Sequence, residues 1–232
     1  MIDATCELDY LWRGLRALVS FRLATAKAWA RHGHVVRRRA IDAYLAGHAE
    51  RKLHLSATHD VPGFLNSQIC GAVPIDITRP LPLPDGSFDR IYSSHLVEHI
   101  HRRQLAEFLA EARRVLQPGG SMIIATPSLG TIVPALWGDD DDKRTLLLER
   151  TRKHSWEGFH GRAQALNTVM RAFGHRWLVD VDYLRGAGLR AGFSAVDSIG
   201  NLDLPDPELV RYIRDHKPAA WFVETETFLL KV

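Results

Sequence analysis

Cysteine is scarce in this 232-residue chain: Cys6 and Cys70 are its two, far apart in sequence. They fit neither a C-x-x-C motif nor a Cys/His metal spacing, which argues against a disulfide framework and against a structural zinc site. Long apolar runs are also lacking. No stretch reaches the ~18 residues that a spanning helix needs, and the N-terminal region shows no basic segment followed by an apolar block of the secretory kind. The expectation is a soluble protein in a reducing cytoplasm. Acid is missing from one segment only. Tyr10–Ile41 holds Arg13, Arg16, Arg22, Lys27, Arg31, Arg37, Arg38 and Arg39 and no Asp or Glu, although the formal net charge of the whole chain is only +3.

What is present is enough to fold. A hydrophobic content of 46% supplies one large packed core and argues against disorder. In the basic segment Leu11, Leu15, Leu18, Val19, Ala26 and Trp29 recur at roughly helical spacing, so residues 1–50 read as a basic helical extension. Packing on the domain with a solvated basic face is the preferred reading of it. An anionic membrane surface is the second, and an acidic partner such as nucleic acid is the least favoured. An organellar transit peptide would share the charge, but serines are too few.

After Gly47 short apolar runs alternate with turns and helices, the pattern of a mostly parallel sheet covered by helices. Strands are expected at Lys52–Leu55, Phe64–Ile69, Val73–Asp76, Phe88–Ser93, Ser121–Thr126, Ala195–Ile199 and Glu224–Val232. Arg102–Leu116 carries a helical stripe of Leu105, Phe108, Leu109, Ala112, Val115 and Leu116, and Pro118-Gly119-Gly120 is expected to stop it before the next strand. No strand is evident between Pro127 and Asp180. That segment, about 128–179, reads as an insertion at the end of a strand where open α/β sheets bind ligands, hence a substrate lid. Its acidic run Asp139–Asp142 reads as a solvated loop and not as a metal site.

Three blocks carry a family resemblance: Asp76–Tyr92, with Asp85-Gly-Ser-Phe-Asp89 inside it; Ser94-His-Leu-Val-Glu-His99; and Arg114-Val-Leu-Gln-Pro-Gly-Gly120. In order and spacing they resemble class I S-adenosylmethionine-dependent methyltransferases. A narrower likeness, carried by Leu53-His-Leu-Ser-Ala-Thr-His-Asp-Val-Pro-Gly-Phe-Leu-Asn66 and by Gly174-His-Arg-Trp-Leu-Val-Asp180, is to compact members associated with cell-envelope polysaccharide synthesis. The resemblance covers about residues 51–232. It implies a Rossmann-like, seven-stranded α/β fold, mostly parallel with an antiparallel last strand, and a small-molecule or glycan acceptor.

The resemblance also assigns site residues. Ser56, Ala57 and Thr58 stand where the first loop has glycines, which let the backbone turn and approach the cofactor's methionine end without a Cβ. Gln68 stands where an acid would take the ribose hydroxyls. A neutral amide costs about 1–3 kcal/mol there. Asp76 would face the adenine amino group, with the Ile77 backbone on the ring; alternatively Asp76 is a turn residue before Pro80. Ser94 and His95 would lie under the sulfonium, and Glu98 and His99 would begin the next helix. His95 and His99 are the catalytic candidates, since a histidine can take a proton from a hydroxyl acceptor, although methyl transfer chiefly needs alignment. His95 and His99 also invite reading as a metal pair beside Glu98. The expectation is nevertheless no metal, because no third ligand is indicated. His154, His160 and His175 are loop histidines, of which His175 is the one favoured for substrate contact.

S-adenosylmethionine-dependent methyl transfer to oxygen or nitrogen is therefore the leading reading. The eight residues Ser56–Gly63 are too few for a helical crossover, so a shortened, more open cofactor pocket is expected. Two other readings stand beside it. One is a catalytically silent homologue serving as a binding or scaffolding subunit, and the other is a non-methylating enzyme on the same fold.

Overall fold

A computed structural model of the chain describes residues 34–56, 58–68, 73–152 and 161–232. The elements follow as α1 (His34–Gly47), β1 (Lys52–Leu55), β2 (Phe64–Ser67), β3 (Phe88–Ser94), α2 (Arg102–Val115), β4 (Leu116–Pro127), α3 (Leu129–Trp137), α4 (Asp141–Arg152), α5 (Arg162–Arg171), α6 (Val181–Arg190), β5 (Ala195–Ile199), α7 (Pro207–His216), α8 (Ala219–Glu224) and β6 (Thr225–Lys231). The amphipathic pattern read between Leu11 and Trp29 lies outside the described residues.

The sheet order is β2-β1-β3-β4-β6-β5. β2, β1, β3 and β4 pair in parallel, and β6 runs antiparallel to both β4 and β5. This is the Rossmann-like α/β architecture expected, antiparallel last strand included, but with six strands among the described residues instead of seven. Val73–Asp76 forms no strand. Pro74 has no N–H to give a ladder, and Asp76 folds the chain into a turn by accepting from the amide and hydroxyl of Thr78 at 3.0 and 2.7 Å. Val73, Ile75 and Ile77 still bury their side chains in the main core, so the alternation reports burial without pairing.

α2 forms for the reasons its sequence offers. Leu105, Phe108, Leu109, Ala112 and Val115 are buried on one stripe, the side chain of Gln104 takes the amide of His101 at 3.0 Å, and Arg113 and Arg114 occupy the last turn. The helix ends at Val115, but Pro118-Gly119-Gly120 is no gap before the strand. β4 already starts at Leu116, paired with Phe88, and the register shifts between Phe88 and Arg90 as the glycines pass. A Cβ on Gly120 would lie 2.9 Å from the Gln117 carbonyl oxygen and 3.0 Å from that of Asp89, so only glycine lets the bulged entry lie this close.

The β1–β2 connection is a turn, as its length required. In place of a helix, Asn66 braces it: Oδ1 accepts from the Val61 amide (2.9 Å) and lies 3.1 Å from His54 Nδ1, while Nδ2 donates to the Val61 and Phe64 carbonyls, both at 3.0 Å. On the opposite flank, Asp206 at the start of α7 is buried and takes Lys52 Nζ at 2.9 Å and Arg90 Nη1 at 2.8 Å. The head of α7 is thereby locked to β1 and β3. Leu209, Tyr212 and Ile213 then pack with Tyr92 and Ile123, and the chain is delivered to Lys217 and Trp221. Described residues 128–179 are mostly helical, with a lone bridge between Ser128 and Val179 at the two ends. α3, α4 and α5 bury Ile132, Leu136, Leu147, Ala165 and Val169 in a core of their own, closed by Val223. In the acidic run, Asp141 and Asp142 open α4, so half of the expected loop is helix. No helix among the described residues is long and apolar enough to cross a membrane.

Candidate active site

β2 lies on one side of β1 and β3 on the other. Chain order therefore reverses between β1 and β3, and their carboxyl ends flank the crevice in which open α/β sheets take ligands. Ser56 leaves β1 and His95 leaves β3 at that edge. Both have left-handed backbones, φ 61° for Ser56 and 49° for His95, two of three such non-glycine residues described. Left-handed conformation costs roughly 1–2 kcal/mol for a residue with a Cβ. Its appearance at both lips of the crevice marks strain held in place by the surroundings.

The surroundings of His95 are specific. Its amide donates to the Ala125 carbonyl at 2.8 Å, extending the register of β4 by one residue. Nε2 lies 2.8 Å from Thr225 Oγ1, the ring stacks on Trp221 at 6.0 Å between centroids, and Nδ1 lies 3.5 Å from Glu98 Oε1. Burial, aided by the positive charges of Lys217 and Arg150, pushes its pKa down to about 3. The ring is therefore neutral at ordinary pH and holds a proton weakly.

Against the expectation from the sequence, Glu98 and His99 do not start the next helix. They form a separate single turn, Val97–His99, and α2 begins only at Arg102. The difference turns Glu98 inward. It has no exposed surface; Thr126 Oγ1 donates to its Oε2 at 3.1 Å, and Oε1 has no hydrogen-bond partner among the described residues. Burial lifts its pKa to about 8. His99 Nε2 lies 4.0 Å and His175 Nε2 3.9 Å from the same Oε1, and the two imidazoles meet edge to face at 5.0 Å. Burial depresses both rings, His175 to about 4.

The other assigned residues divide. Ser94 is buried at the end of β3 beside His95. Gln68 follows β2, half-buried. Thr58 is exposed, with its hydroxyl 3.1 Å from that of Tyr212. Ala57, His154 and His160 lie outside the described residues. Asp76 has the turn role, its carboxylate also 3.4 Å from Arg79 Nε, and Ile77 is buried. Thus Ser56, Ser94, His95 and His99 line the β1 and β3 ends, whereas the Asp76 carboxylate is spent on its own loop. Sequence reading missed Thr225, Trp221, Lys217 and Thr126. They come from β4, β6 and the stretch before β6, with no local motif to flag them.

Residues 24–124 match the family described as Methyltransferase domain. A Mycolicibacterium smegmatis protein described as a probable S-adenosylmethionine-dependent methyltransferase is 41% identical over 54 residues, 23% of this chain. The match spans only a fifth (20%) of that protein's length. Among solved structures, an S-adenosylmethionine-dependent methyltransferase from Archaeoglobus fulgidus aligns over 99% of this chain and 100% of its own at 17% identity and a TM-score of 0.47. One from Mesorhizobium loti aligns over 83% and 98% at 17% identity and a TM-score of 0.44. The sequence matches carry a methyltransferase-domain likeness over residues 24–124, less than half of this chain.

Proposed function

We propose that the chain transfers a methyl group from S-adenosylmethionine to an oxygen or nitrogen of a small molecule or glycan, with the crevice at the ends of β1 and β3 as its active site. The observation that carries this reading is the left-handed backbone of Ser56 at the end of β1. A serine there makes the turn for which a glycine is the ordinary choice, which supports reading Ser56 as the stand-in for a glycine of the first loop. The residues present accommodate the cofactor in this respect. Ser56 and Thr58 offer hydroxyls to its amino-acid end, Gln68 offers one amide oxygen to the ribose, and the backbone at Ile77 is left to the adenine because the Asp76 carboxylate serves its own turn. When bound, the cofactor supplies an electrophilic methyl group on a sulfonium.

The protein's part is chiefly alignment. His95, neutral and clamped between Thr225, Trp221 and Glu98, shapes the floor under the reacting centre. A group with a pKa of about 3 is a weak base, so an acceptor that gives up its proton easily suits this site better than an isolated alcohol. Residues 128–179 are the proposed lid and residues 1–50 the proposed extension, packed on the domain with its basic face solvated, an anionic membrane surface being the second reading of that face. A glycan acceptor of the cell envelope is the finer form of the proposal. It rests on the likeness of residues 53–66 and 174–180 to the polysaccharide-associated group.

The test is methyl transfer from radiolabelled S-adenosylmethionine to candidate glycans and small phenols and amines. Label in the acceptor, lost in Gln68→Ala, is expected. Binding of the cofactor with no transfer to any acceptor would favour a silent binding subunit. No binding at all would point to different chemistry on the same fold.

A further inference from the structure

We propose that Glu98, His99 and His175 form a binding site for a divalent first-row transition ion of the zinc type. The ligating atoms of the three side chains lie within 4.8 Å of one another. Glu98 Oε1 is fully buried, has no hydrogen-bond partner among the described residues and faces three imidazoles, Nδ1 of His95 at 3.5 Å and Nε2 of His99 and His175 at 4.0 and 3.9 Å. A carboxylate oxygen left this way is costly unless a cation or a proton donor meets it.

The histidines are presented as ligands. His175 Nδ1 lies 2.5 Å from the Val169 carbonyl, which only a protonated Nδ1 can satisfy, so its Nε2 carries the lone pair toward Glu98. His99 turns Nδ1 toward Gly174 and Nε2 toward Glu98. Backbone carbonyls that fix the tautomer of a metal-binding histidine are the usual outer support of such sites. The two halves are also pinned together, since the Glu98 carbonyl accepts from the amides of Arg176 and Trp177 at 2.7 and 3.3 Å.

Bonds of ~2.0–2.2 Å put tetrahedral neighbours roughly 3.4 Å apart, so separations of 3.9 Å to at most 4.8 Å close by about 0.5–1.4 Å on binding. Two imidazole nitrogens with one carboxylate suit zinc and its neighbours and do not suit magnesium or calcium, which take mostly oxygen. The His99 side chain is 37% exposed while those of Glu98 and His175 are 0% and 5%, so the fourth position opens on the His99 side. Three protein ligands with one open position is the form of a catalytic rather than a structural site. Arg150, Lys217 and Arg176 are the nearby cations; Arg150 pairs with Glu224 at 3.7 Å, and Lys217 acts on the Glu98 carboxylate.

The experiment uses the full chain, stripped with a chelator and titrated with Co²⁺ and then Zn²⁺, with no cofactor or acceptor present. Failure here is thus separate from failure of the methyltransferase reading. One equivalent of Co²⁺ giving visible ligand-field bands, displaced by Zn²⁺, is expected. So is at least a hundredfold weaker affinity in His175→Ala and in His99→Ala, at unchanged far-ultraviolet circular dichroism. Should either alanine variant fail to fold, Glu98→Gln keeps the side-chain shape and is expected to lose the bands. Asp139→Asn/Asp140→Asn, in the exposed acidic run, is expected to change nothing. No bands with millimolar Co²⁺, or equal affinity in the His175→Ala and Glu98→Gln variants, would overturn the site.

Discussion

Replacing His54 by glutamine should change how stability depends on pH, and by an amount the structure sets. His54 sits on β1 with no exposed surface, among Phe64, Tyr92 and Tyr212, and makes one side-chain hydrogen bond, to Asn66. Burial lowers its pKa from 6.5 to about 4, more than the Asn66 contact raises it. Between those two pH values the unfolded chain binds a proton at His54 and the folded chain does not. Stability is therefore intact above pH 6.5 and is lost as pH falls, by about 1.4 kcal/mol per pH unit and roughly 3 kcal/mol in all. Glutamine has no such proton and keeps a donor for Asn66. The free energy of urea unfolding, measured for both proteins from pH 7.5 to 4, should differ by an amount that moves about 3 kcal/mol in favour of the glutamine protein on acidification. His95 and His175 titrate in both proteins and cancel in the difference. A difference that stays constant with pH would refute the neutral, buried state of His54. Because His54 steadies Asn66 and so the β1–β2 turn, acid should also weaken any ligand held by that turn before the protein unfolds.

Other perturbations test the site and its frame. Gln68→Asp should tighten S-adenosylmethionine by about ten- to a hundredfold in calorimetry, from a charge-assisted bond to the ribose worth roughly 1–3 kcal/mol. Unchanged affinity would remove Gln68 from the pocket. Ser56→Val places a β-branched residue at φ 61° and should cost about 2 kcal/mol or more in thermal unfolding, whereas Ser56→Gly should stay within about 1 kcal/mol of the parent. Gly120→Ala meets two backbone carbonyl oxygens at 2.9 and 3.0 Å and should destabilise by roughly 1–3 kcal/mol, read as a lowered melting temperature.

Much of the frame is legible because it is local. β1, β3, β5 and β6 fall within a residue or two of the apolar runs that mark them, and the stripe Leu105–Val115 identifies α2 almost to its ends. Val73–Asp76 misleads because alternating burial without a ladder looks like a strand, although Pro74 has no N–H to give one. Pro118-Gly119-Gly120 misleads in the opposite sense, since a bulge lets a strand run through residues that usually end one. The site is harder to read. Ser56 and His95 follow from the motif blocks, but the environment that keeps His95 neutral arrives from Trp221 and Thr225, more than a hundred residues away. His175 likewise lies 77 positions from Glu98 and meets it only after the helices α3 to α5 have been folded out of the way. Distance in sequence hides such pairs, and chemistry at the first partner alone does not reveal the second.

The central claim is that the crevice at the ends of β1 and β3 holds S-adenosylmethionine, and calorimetric titration of the full chain with S-adenosylmethionine and S-adenosylhomocysteine tests it most directly. Saturable one-to-one binding of both, tightened in Gln68→Asp, is the predicted result. Absence of heat with either ligand at millimolar concentration would contradict it.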